Sequence, residues 1–115
     1  MDATNFEELN GKIIVYARGD WNLGNIREIE SLFGEILEKN PSIIAINCKE
    51  LDALDSTAIA SFVKLLRKSR EYDINLIFYD LNLNIKHTFE LMTLDKFFTI
   101  LSREKFEQEF GSSGT

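Results

Sequence analysis

Leu51-Asp-Ala-Leu-Asp-Ser-Thr-Ala-Ile59 decides how this chain is read. An apolar, β-branched run, Ile43-Ile-Ala-Ile46, precedes it, and an amphipathic run from Ile59 to Tyr72 follows. The stretch is therefore a handover from strand to helix, with Asp55, Ser56 and Thr57 at the helix N-terminus. Each carries an oxygen that can accept a hydrogen bond from a backbone N–H left unpaired at a helix start. Those N–H groups and the helix dipole also favour a phosphate there. Residue types alone leave two readings of a hydroxyl at this place: a plain cap or a phosphorylation site.

Upstream, Ile43 to Asn47 is bounded by turn residues, as expected for a central strand covered on both faces. Phe6 to Leu9 and Lys12 to Ala17 read as two strands joined by a tight turn at Asn10-Gly11, an antiparallel hairpin. Gly19 to Gly24 reads as a loop. Asn25-Ile-Arg-Glu28 has the form of a capping box. Ile26, Ile29, Phe33, Ile36 and Leu37 then recur at helical spacing up to about Lys39, where Asn40-Pro41 stops the pattern. Downstream, a helix is expected from about Ser56 to Tyr72 with Ile59, Phe62, Val63 and Leu66 on its inner face, roughly 25 Å long. Its basic residues, Lys64, Arg67, Lys68 and Arg70, gather towards the negative end of the dipole. Ile74 to Tyr79 reads as a strand, Ile85 to Met92 as a helix, Phe97 to Leu101 as a short strand and Arg103 to Phe110 as a last helix. Residues 111–115, Gly-Ser-Ser-Gly-Thr, read as a frayed tail.

Strands alternating with helices require parallel neighbours joined by right-handed crossovers. With the opening hairpin, the expectation is a mixed α/β sheet of about five strands and about four helices, one domain over residues 1–110. Sites in such sheets sit beyond the C-terminal ends of the parallel strands. The segments Gly19–Gly24, Cys48–Asp55 and Asp80–Asn84 are expected to gather there.

The chain has 115 residues, enough to bury roughly two thirds of its unfolded surface without disulfides or metals. Its 44% hydrophobic and 28% charged content is that of an ordinary globular protein. Cys48 is the only cysteine and reads as a buried structural thiol. The start, with Asp2, Glu7 and Glu8, lacks the basic-then-apolar order of a secretory leader, and no apolar run reaches the roughly 18 residues that suggest a membrane span. A net charge of −6 argues against generic nucleic-acid binding, which relies on basic residues. The expectation is a cytoplasmic protein without nucleic-acid or membrane partners.

Enzymatic chemistry lacks its parts. There is no G-x-x-x-x-G-K-[ST] or G-x-G-x-x-G loop, and His87 is the only histidine. Metal sites and nucleophilic relays usually need more imidazoles, so His87 reads as a surface helix residue. Asp20, Asp52 and Asp55 could form a cation-binding acidic pocket, but the strand ending at Asp80 offers no immediate lysine for a phosphoryl oxygen. Solvated loop aspartates and helix caps describe them better. Phe62, Phe78, Phe89, Phe97 and Phe98 read as core. Trp21, beside Asp20 and Asn22, has two readings: folded back over the core edge, or an exposed partner anchor of the kind enriched in binding hot spots.

Asn47-Cys-Lys-Glu-Leu-Asp-Ala-Leu-Asp-Ser-Thr-Ala-Ile59 resembles the signature of STAS domains, especially bacterial anti-sigma-factor antagonists. In that family an N-x-x-x-[LV] strand end leads into D-S-[ST]-G-[LI], which opens a helix. Gly19-Asp-Trp-Asn22 is similar to the family's G-x-[LF]-[DN] turn. Ile85-Lys-His-Thr-Phe89 with Leu94-Asp-Lys-Phe-Phe98 resembles its third helix and last strand, so the resemblance spans nearly the whole chain. The chain departs from the pattern at Ala58, where glycine is usual, and at Asn22, where many antagonists have aspartate.

The resemblance implies a binding protein without catalytic residues, metal or cofactor. Its unphosphorylated form would bind an anti-sigma factor that is also a serine kinase and so free a sigma factor. Phosphorylation of Ser56, with Thr57 as fallback acceptor, would block binding, and a PP2C-type phosphatase would restore it. The partner face would comprise Asp20, Trp21, Asn22, Asp52, Asp55, Ser56, Thr57 and Ile59, with Asp55 orienting the Ser56 hydroxyl. A phosphate adds about −1.5 to −2 charges, tolerable at a helix start but repulsive to a partner packed against it. Two other readings stay open: a STAS interaction subunit of a transport or stress-signalling assembly that is never phosphorylated, and an enzyme or nucleotide-binding domain.

Overall fold

The chain enters its sheet through a tight hairpin. In the computed structural model, which describes residues 4–111, β1 (Asn5–Leu9) pairs antiparallel with β2 (Lys12–Trp21). Asn10 and Gly11 both take positive φ, 51° and 80°, as a two-residue hairpin turn matched to the twist of its strands requires. The expected tail beyond Gly111 lies outside the described residues, as do Met1, Asp2 and Ala3.

Helix α1 (Ile26–Glu38) crosses over to β3 (Ile43–Leu54), α2 (Ser56–Glu71) to β4 (Asn75–Tyr79), and α3 (Leu83–Leu91) with a 3-10 turn (Leu94–Lys96) to β5 (Thr99–Leu101). Helix α4 (Arg103–Phe110) follows. The sheet order is β1-β2-β3-β4-β5, parallel from β2 onwards, so β3 is central. This is the mixed five-stranded sheet, hairpin and four helices expected from the sequence.

Side chains alternate along each strand, and the two faces bury different elements. Ile13, Val15, Ile44, Ile46, Leu76 and Phe78 face the main core beneath α1, α2 and α3. Ile14, Ala45, Ile77 and Tyr79 face α4, where Phe106 stacks on Tyr79 at 3.9 Å. Phe62 of α2 centres the main core, its ring 4.8 Å from Phe78 and 5.3 Å from Trp21.

The structure corrects several expectations. Strand β2 runs through Gly19, Asp20 and Trp21, and β3 continues to Leu54, because the two strands go on pairing up to Trp21 opposite Leu54. Register shifts at Tyr16/Arg18 and Gly19/Asp20, with Gly19 at φ 71°, let polar, turn-like residues stay in the ladder. The capping box does not form: Asn25 makes no side-chain bond to the start of α1. On α2 the buried residues are Ala58, Ser61, Phe62, Leu65 and Ser69; Ile59 and Leu66 are half-buried and Val63 is exposed. Phe97 is 64% exposed rather than core, since it follows the 3-10 turn and its N–H bonds Leu94 O. That turn also shortens β5 to its last three residues.

Candidate functional site

Past Asn47, β3 loses β4 as a neighbour, since their pairing ends at Asn47 opposite Tyr79. Its next carbonyls are instead taken by one side chain from the β4–α3 turn. The two hydrogens of Asn82 Nδ2 are shared among the carbonyls of Cys48, Lys49 and Leu51, at 3.2, 3.1 and 2.7 Å, while Asn82 Oδ1 caps α3 by accepting from Ile85 N. Asn84 Nδ2 adds a bond to Asp52 O at 2.5 Å. The end of β3 is thus held by β2 on one side and by two asparagines on the other, which fixes where α2 begins.

The opposite wall is the turn between β2 and α1. Asn25, freed from capping, accepts from Asn22 N through Oδ1 and donates to Asp20 O through Nδ2. Asn22 Oδ1 accepts from Gly24 N, so the turn holds itself together through side-chain amides.

Asp55 joins this wall to the helix. Its backbone is extended, its N–H donates to Trp21 O, and its carboxylate accepts from Ala58 N through Oδ1 and from Leu23 N through Oδ2, both at 3.0 Å. The N–H of Ala58 is the largest influence on the Asp55 carboxyl and lowers its pKa; desolvation, next in size, opposes it, and the N–H groups of Leu23 and Thr57 tip the balance further below the ordinary value. Asp55 is therefore an ionised cap and a clamp on the neighbouring turn, and its oxygens are spent on backbone rather than on orienting the Ser56 hydroxyl.

Ser56 is the first residue of α2, is exposed, and makes no side-chain hydrogen bond among the described residues. Thr57 and Ile59 are half-buried beside it, Asp20 and Asp52 are exposed, and Asn22 is half-buried. The segments around residues 19–24, 48–55 and 80–84 meet here as expected. Trp21 does not present its ring: it is 1% exposed, packs on Phe33 and Phe62, and donates from Nε1 to Thr4 Oγ1. Of its two readings the structure takes the buried one, which removes Trp21 as a surface anchor. Two residues missing from the sequence reading stand at the rim instead, Leu23 at 74% and Leu83 at 84% exposure. Nothing in the sequence distinguished them from any other loop or helix leucine.

Cys48 is fully buried beneath this edge, and burial, helped by the negative charge of Asp80, pushes its thiol far above the ordinary range. It is structural, as expected. His87 lies exposed on α3. Among the described residues no group of three or more His, Cys, Asp or Glu side chains could hold a metal ion, and no helix is long and apolar enough to cross a membrane.

Comparison with known proteins agrees with this architecture. The chain is similar to an anti-sigma factor antagonist from Mycobacterium paratuberculosis at 18% identity and TM-score 0.73, covering 85% of this chain and 83% of the other. It is similar to a Thermotoga maritima protein at 17% identity and TM-score 0.80, covering 92% of each. SpoIIAA resembles it in both its unphosphorylated form (13% identity, TM-score 0.71, covering 96% of this chain and 100% of the other) and its phosphorylated form from Bacillus (14%, 0.70, 93% and 98%). At these identities the likeness establishes the fold. No curated protein matches the chain in sequence. The STAS domain family model matches residues 3–107, and the chain belongs to the STAS domain family.

Proposed function

We propose that this chain is an anti-sigma-factor antagonist whose unphosphorylated form binds an anti-sigma factor with serine kinase activity, and that Ser56 is the phosphorylation switch. The observation that carries this reading is the division of roles at the start of α2. Asp55 supplies the cap, which leaves the adjacent Ser56 hydroxyl exposed and unbonded. A capping serine would hold its oxygen against its own backbone; a kinase substrate has to offer it.

The consequence of phosphorylation is electrostatic. A phosphate of about −1.5 to −2 charges would stand beside the ionised Asp55 and near exposed Asp52. The helix start tolerates that charge, so the fold persists. SpoIIAA keeps this fold in both its forms, with TM-scores of 0.71 and 0.70 to this chain. A partner packed on the same face would meet repulsion and a desolvation cost instead. The switch acts on an interface, and a PP2C-type phosphatase resets it. Protein binding rather than catalysis is the activity, and the bacterial cytoplasm is its place.

Ala58, where the family pattern has glycine, is buried in the main core, so its methyl does not stand on the surface beside Ser56. The partner face is Asp20, Asn22, Asp52, Asp55, Ser56, Thr57 and Ile59, with Leu23 and Leu83 as apolar contacts. The test is capture from a lysate of the source organism with wild-type, Ser56→Ala and Ser56→Glu baits. An ATPase-fold anti-sigma factor should be held by the first two and lost by the third. Equal retention by all three contradicts the switch.

A further inference from the structure

The sequence placed Val63 and Leu66 on the buried face of α2; in the structure Val63 is exposed, and Leu66 is half-buried at the edge of the main core. Ala58, Phe62, Leu65 and Ser69 take the sheet side, so Val63, Leu66, Arg67 and Arg70, spaced i, i+3, i+4 and i+7, form a second stripe. Across from this stripe stand Leu94, Phe97 and Phe98 from the 3-10 turn and the residues after it. Between them lies a groove of about 640 Å³ whose lining is mainly apolar. Val63 is 38% and Phe97 64% exposed, so the groove has an apolar floor and an open mouth.

Its charge is opposite in sign to that of the chain as a whole. The chain carries a net charge of −6, yet this groove is rimmed by Arg67 and Arg70 against the single carboxylate of Glu71. Lys64, one turn back, is engaged by Glu30 at 3.3 Å, whereas neither arginine makes an ion pair among the described residues. An unpaired guanidinium beside apolar surface presents a rigid fork of donors matched to a carboxylate.

We propose that this groove is a second docking surface, and that its occupant is an acidic amphipathic helix of a partner protein. The helix would lay its apolar stripe between Val63 and Phe97 and place carboxylates on Arg67 and Arg70. The stripe from Val63 to Arg70 is about two helical turns long, which suits a helix-in-groove contact. It lies on the later turns of α2, away from Ser56, so it is independent of the switch and can stay occupied in either phosphorylation state.

The probe is a pair of synthetic helical peptides of about 14 residues with leucines at i, i+3, i+4 and i+7, one carrying glutamates on the flanks and the other lysines. Each is titrated into the isotope-labelled protein at low and high salt. The expected result is that the glutamate peptide shifts the amides of Val63, Arg67, Arg70 and Phe97, and that salt weakens it. Arg67→Glu with Arg70→Glu should lower its affinity at least about tenfold, and Phe97→Ala should lower it too. Ser56→Glu should leave it unchanged. Absence of binding, shifts elsewhere, or equal binding of the lysine peptide overturns the proposal. So does sedimentation showing that the groove pairs two copies of the chain, with the pairing lost in Phe97→Ala.

Discussion

The carboxylate of Asp55 and the backbone N–H of Leu23 meet at 3.0 Å across 32 positions of sequence. The other oxygen of the same carboxylate closes the first turn of α2 on Ala58 N. One ionised side chain thereby couples the start of the helix to the turn between β2 and α1, and so sets the geometry of the surface around Ser56. Most of what can be tested about this face follows from that bond and from the asparagines opposite.

Asp55→Ala removes both bonds at once. The amides of Leu23 and Ala58 should lose protection together in hydrogen exchange and Tm should fall, while amides in the middle of β4 keep their order of protection. Asp55→Asn retains one acceptor oxygen and should deprotect only one of the two amides. If Asp55→Ala leaves Leu23 as protected as before, the clamp does not operate.

Acid should release the same clamp. Asp55 titrates below its ordinary value of 3.8 because backbone N–H groups bind its ionised form. A depressed folded-state pKa makes a stabilising contribution that is complete above the unfolded value and is lost as pH falls through the folded one. Wild-type Tm should therefore drop below about pH 4 more steeply than that of Asp55→Asn. Carbon-detected titration of the Asp55 carboxyl with a midpoint at or above 3.8 would contradict this.

Asn82→Ala should be costly for a partly exposed residue. It loses the α3 cap and donors to three carbonyls at the end of β3. The expected loss is roughly 2–3 kcal/mol by denaturant unfolding. Asn82→Asp keeps the cap but places a carboxylate against those carbonyls, and should recover little of the loss.

Ser69 gives the opposite sign. Its hydroxyl is buried in α2 with no hydrogen-bond partner among the described residues. Ser69→Ala removes an unsatisfied polar atom and should stabilise the protein by about 1 kcal/mol, read as a higher denaturant midpoint at unchanged slope.

Patterns read within one element were legible before the structure: the hairpin at Asn10-Gly11, the helical spacing from Ile26 to Ile36, the strand-to-helix handover at Asp55 and the helix beginning at Arg103. The extensions of β2 and β3 were not, because Gly19, Asp20 and Lys49 to Asp52 are kept in strand by each other rather than by their own propensities. Asn25 looked like a cap, and its amide is spent on Asp20 and Asn22 instead. Asn82 was one of several polar residues in a turn, and only the fold brings it to the unpaired side of β3. Leu23 and Leu83 carry no pattern at all; their part in the candidate site depends on which strand ends lie next to each other.

The central claim is that Ser56 is the switch, and the phosphate itself tests it most directly. The chain is incubated with ATP and the anti-sigma factor that it captures, and the modified residue is mapped by mass spectrometry in wild type, Ser56→Ala and Thr57→Ala. Phosphate is expected on Ser56 in wild type and Thr57→Ala and none in Ser56→Ala, with loss of the complex on modification. Phosphate on Thr57 instead, or a phosphorylated protein that stays bound, would contradict it.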